Sequence, residues 1–163
     1  MFKHVLVPLD VRFSPQKTLM AAAALAREQN AQLTLLNVCD VGTTFANAAF
    51  TVVTDDEVTQ YAQRVQAFLA DASAIIAEYG GNASRLVVAG APVHLVIKAV
   101  AAQIGADAIM MGTHGRRGFA RFWHGSVTER LLRDADVPVL AIRESPTMSL
   151  PRISPQWSAQ WQW

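Results

Sequence analysis

Apolar positions recur in two rhythms along this chain. Short apolar runs bounded by turn-forming residues predict strands over Phe2–Leu9, Gln32–Val38, Arg85–Ala89, Ala108–Met111 and Val137–Ile142. Between them, apolar residues spaced at three and four predict helices from Ser14-Pro15 to about Asn30, from Thr54 to Tyr79, over Val93–Ile104 and over Val127–Arg133. The strands hardly alternate between apolar and polar, as expected where both faces of a sheet are covered. Strands that alternate with helices in this way predict a parallel sheet with helices on both sides, a three-layer α/β sandwich.

Local chemistry sharpens the boundaries. Ser14 is placed to cap the first helix, with Pro15 at its first turn, and Leu19, Ala22, Ala23 and Ala26 form its inward stripe. Thr54 and Glu57 stand at capping-box spacing before a stripe that runs from Val58 and Tyr61 to Ile76 and Tyr79. Gly80-Gly81 ends that helix, and Gly105 ends the next. Leu131 and Leu132 are expected on the inner side of the last helix. Residues 39–54, rich in small side chains, carry no clear period; a short helix and a flap over a ligand are both open.

The stretch between the fourth strand and the last helix carries the candidate chemistry. It reads Gly112-Thr113-His114-Gly115-Arg116-Arg117-Gly118 and reaches Gly125-Ser126 just before Val127. Glycines there let the backbone turn with positive φ and let a ligand approach without a Cβ in the way. The free N–H groups of a helix start favour an anion, and Ser126 adds a hydroxyl beside them. The spacing G-x2-G-x9-G-S is neither a P-loop nor a dinucleotide fingerprint. Arg116, Arg117 and Arg121 are either counter-charges for phosphates or a solvated loop. Asp10 ends the first strand, at the sheet edge where open α/β folds bind ligands. It either accepts from a base or ribose, or caps the turn that follows it.

This glycine spacing resembles the nucleotide-binding motif of the universal stress protein family, in its ATP-binding branch. The resemblance covers residues 1–143. It includes the strand ending Val7-Pro8-Leu9-Asp10 and the closing run Val137-Pro138-Val139-Leu140-Ala141-Ile142. It implies a Rossmann-like sheet in the order 3-2-1-4-5, so that Asp10 and Gly112 lie side by side at the switch point. It also implies a contact set for ATP. It would comprise Pro8, Leu9, Asp10, Val38, Met111, Gly112, His114, Gly115, Arg116, Gly125, Ser126 and Val127, with Asp10 and Val38 toward the base or ribose and the glycines and Ser126 toward the phosphates. A divalent cation, Mg2+ or Mn2+, would be held mainly by those phosphates, and two copies would pair through residues 137–142. Members of the family often have Gly-Ser after the aspartate, whereas Val11-Arg12-Phe13 stands here and leaves the loop path open.

Composition narrows the function classes. Apolar residues make up 52% and charged residues 17%, which argues for large internal surfaces or an apolar surface that a partner covers. No apolar run approaches the roughly 18 residues of a membrane span. Met1-Phe2-Lys3-His4 leads straight into a strand, which predicts no signal peptide. A single cysteine, Cys39, excludes an internal disulfide and suits a reducing cytoplasm. A net charge of +1 gives no general reason to bind nucleic acid or membrane. Residues 144–163 form a separate tail in which Pro146, Pro151 and Pro155 are followed by Trp157, Trp161 and Trp163. The expected function is ATP-linked regulation with at most slow hydrolysis, because no base or nucleophile is clearly placed. An ATP-using hydrolase or nucleotidyl transferase, and an interaction module with an empty site, are the alternatives.

Overall fold

A computed structural model describes residues 1–40, 55–114 and 127–144. Five strands, β1 (His4–Pro8), β2 (Gln32–Cys39), β3 (Ala83–Ala89), β4 (Ala108–His114) and β5 (Val139–Glu144), form one sheet in the order β3-β2-β1-β4-β5. Every pairing is parallel. The helices are α1 (Gln16–Gln29), α2 (Asp55–Glu78), α3 (Val93–Ile104) and α4 (Val127–Asp134). The expected fold class and strand order are those observed.

Successive side chains of a strand point to opposite faces, and the two cores follow from that. Val5 and Val7 of β1, with Leu33 and Leu35 of β2, pack with Leu19, Ala22 and Leu69 of α1 and α2. Leu6 and Leu36, one residue out of phase, pack on the other face with Ile97, Val100 and Leu131 of α3 and α4. Each fully buried leucine contributes on the order of 1.5–3 kcal/mol. The alanines of α1 bring that helix close to the sheet, and Ala22 and Ala23 are fully buried.

Several expected boundaries move. β4 runs through His114, so Gly112 lies inside the strand rather than in the turn after it. Pairing with β5 carries it there, because Gly112, Thr113 and His114 lie opposite Ile142, Arg143 and Glu144. β5 begins after Pro138, which lacks the N–H a ladder needs, and continues to Glu144. Glu144 therefore belongs to the sheet, one residue into the stretch expected to be tail. Pro15, not Ser14, occupies the cap position of α1, and no side chain of its own makes a cap bond. Val58 of α2 and Tyr79, just past its end, are exposed, while the buried stripe runs from Val65 to Ile76. Only Leu131 of the α4 pair faces the sheet, since consecutive helical residues diverge by about 100°; Leu132 is exposed.

Polar residues secure the sheet edge away from the strand C-termini. The Asp107 carboxylate accepts from the backbone N–H groups of Lys3 and His4 at 2.7 and 3.1 Å. The Lys3 N–H above all holds its carboxyl below the usual carboxylate range. The His4 ring joins Ile104 O at 3.1 Å and Thr34 Oγ1 at 2.8 Å, which ties β1 to β2 and to the end of α3.

Candidate functional site

The carboxyl ends of β1, β2 and β4 open into a cleft of about 790 Å³. Pro8, Leu9, Asp10, Val38, Met111, Gly112 and Val127 all line it, so seven of the expected contact residues meet at one place. The volume falls within the range usual for small-molecule sites. His114 is the last residue of β4. Gly115, Arg116, Gly125 and Ser126 lie outside the described residues, as does most of the 39–54 segment and the tail from residue 145.

Asp10 is held from below. Leu9 N donates to Leu36 O at 2.7 Å, and the buried Asn37 donates through Nδ2 to Leu9 O at 2.9 Å. The backbone then turns, with Phe13 N donating to Asp10 O at 3.1 Å. The Asp10 carboxylate accepts from Arg12 N at 3.0 Å and from the Arg12 guanidinium, the Nη2–Oδ2 distance being 2.6 Å. The turn-capping reading of Asp10 is thus realised. Its bond to the guanidinium raises the Arg12 pKa, against the opposing effect of burial. Arg12 also lies 5.7 Å from the centre of the Phe13 ring.

Glu144 forms the floor between α1 and β4. It is 5% exposed, yet its carboxylate is fully engaged by the start of α1. Oε1 accepts from Thr18 N at 2.8 Å and Thr18 Oγ1 at 2.6 Å, and Oε2 accepts from Lys17 N at 3.1 Å. The carboxylate therefore replaces the N-cap side chain that Pro15 lacks, and the positive end of the helix dipole supplies its counter-charge. Gly112 makes this packing possible. A Cβ there would stand 2.9 Å from Thr18 Oγ1 and 3.3 Å from Glu144 Cγ.

Sequence reasoning missed Glu144, Thr18 and Asn37, and the part of α2 that borders the cleft through Glu57, Gln60, Tyr61 and Arg64. Arg12 had a signal: it stands two residues after Asp10, the reach of a side chain folding back over a turn. The charges in the cleft include Asp10, Asp40, Glu57 and Glu144 on one side of the balance and Arg12 and Arg64 on the other. Among the described residues no group of three or more His, Cys, Asp or Glu could hold a metal ion.

Comparison with known proteins agrees with this architecture. The model of the universal stress protein family matches residues 1–143. A solved member of that family from Burkholderia pseudomallei is 29% identical, with 86% of this chain and 95% of that one covered and a TM-score of 0.63. A universal stress protein of Archaeoglobus fulgidus solved with dAMP is 22% identical, covers 86% of this chain and 97% of its own, and has a TM-score of 0.61. Another universal stress protein, solved with cAMP, is 21% identical over 88% of this chain and 98% of its own, with a TM-score of 0.64. The matched family model runs from the N-terminus through β1 to all but the last residue of β5, and this chain belongs to the universal stress protein family.

Proposed function

We propose that this chain binds ATP in the cleft at the ends of β1, β2 and β4, and that binding serves regulation rather than rapid catalysis. One observation carries the reading. Asp10 stands two residues past the end of β1, where the expected strand would have reached it, Gly112 lies near the end of the adjacent β4, and both line a single cleft that the N-terminus of α4 also borders. A base and ribose suit the Asp10 side, where a carboxylate repels phosphate but accepts from amino and hydroxyl groups. Phosphates suit the α4 side, through the helix start and the glycines Gly115 and Gly125 before it. The dAMP and cAMP complexes of the two relatives support a nucleotide as the ligand of this chain. Mg2+ or Mn2+ would accompany the phosphates.

Membership of the universal stress protein family favours regulation over turnover in this cleft. Its carboxylates at Asp10 and Glu144 are engaged in holding the turn and the start of α1. The lone cysteine, Cys39, is buried and free, which suits a reducing cytoplasm. We extend the proposal to a homodimer that pairs the β5 edges of two copies. The test of the nucleotide reading is to denature the purified protein and identify what it releases. Bound ATP is the expected result. Rapid accumulation of ADP would favour a hydrolase, and absence of any nucleotide would favour an interaction module.

A further inference from the structure

Asp10 has little acceptor capacity left for a ligand. An ionised carboxylate offers about four lone-pair sites. Here four contacts reach them: Arg12 N to Oδ1 at 3.0 Å, Nε to Oδ1 at 3.0 Å and to Oδ2 at 3.1 Å, and Nη2 to Oδ2 at 2.6 Å. Three of the four come from the guanidinium. The backbone under Asp10 is fixed by Leu36 O and by Asn37, so the aspartate has no easy route away from its partner. The guanidinium does have one. The Arg12 side chain is 61% exposed and the Asp10 side chain 39%, so water waits to solvate both charges when they part.

We infer that Arg12 competes with the bound ligand for Asp10 and thereby sets the affinity of the cleft. The inference rests on the nucleotide reading above and adds to it a residue that determines affinity. A base amino group or ribose hydroxyl gains Asp10 only when the Arg12 side chain swings out. The backbone bond from Arg12 N stays, because the turn that holds it does not depend on the guanidinium. Exposed ion pairs are weak, so the competition tunes affinity and does not close the site. A buried pair would have blocked it.

The experiment measures ATP and adenosine binding to the parent, Arg12→Ala, Asp10→Asn and the double variant. Adenosine removes any direct effect of Arg12 on phosphate. Arg12→Ala is expected to tighten both ligands about two- to fivefold, the range an exposed pair allows. In the Asp10→Asn background the same change is expected to have little effect, because the contested charge is gone. Melting curves of the four proteins establish that each is folded. Weaker or unchanged binding by Arg12→Ala overturns the inference while leaving nucleotide binding by the parent intact. Tightening that persists in the Asp10→Asn background overturns it as well. Failure of all four proteins to bind either ligand overturns both this inference and the nucleotide reading.

Discussion

The hydroxyl of Thr18 donates to the carboxylate of Glu144 at 2.6 Å, across 126 residues of chain. Both side chains are buried, and the contact joins the last residue of β5 to the first turn of α1. It sits directly behind Gly112, whose missing side chain leaves the room for it. The wall of the cleft and the start of α1 are thus held by one charged group.

Thr18→Val tests how much that group contributes. Valine keeps the shape and removes the donor. A hydrogen bond to a charged group is worth about 1.5–3 kcal/mol, and the buried carboxylate keeps only its two backbone donors. Denaturant unfolding is expected to show a loss of that size. In a Glu144→Gln background the loss is expected to shrink, since the uncharged amide needs the hydroxyl less. Equal stability of Thr18→Val and the parent would contradict the account of this contact.

The edge of the sheet carries a second prediction. β5 lies at one end of the strand order, with Ala141 and Arg143 exposed and Val139 and Ile142 half-buried. Among the described residues no further strand pairs with this edge, and such an edge is a template for pairing. Two copies are expected to meet there antiparallel about a two-fold axis. Light scattering at micromolar concentration is expected to give the mass of a dimer, and a monomer would contradict the pairing.

How much of this was legible beforehand varies with the range of the interaction. Leu33 to Leu36 and Ala108 to Met111 announce buried strands because their side chains meet a helix layer on either face, and periodicity records that. The strand order came from resemblance to a family, since no local pattern states which strands are neighbours. The extension of β4 through Gly112 was hidden, because it depends on backbone pairing with β5 and leaves no mark in side-chain type. Glu144 was hidden for the same reason: its role exists only where two distant segments meet. Ser14 misled, because a carboxylate from another strand does the work that a local cap would have done. Asp10 was legible as a residue at the right edge, while its engagement with Arg12 depended on the path of the turn.

The most direct measurement is calorimetric titration of nucleotide-free protein with ATP, run in parallel on the parent and on Gly115→Val. The account predicts a single saturable site per chain in the parent. It predicts that Gly115→Val loses this binding while it keeps the parent's melting curve, because a branched side chain would obstruct the approach of phosphate to the loop backbone. Absence of saturable binding in the parent, or undiminished binding by Gly115→Val, would contradict it.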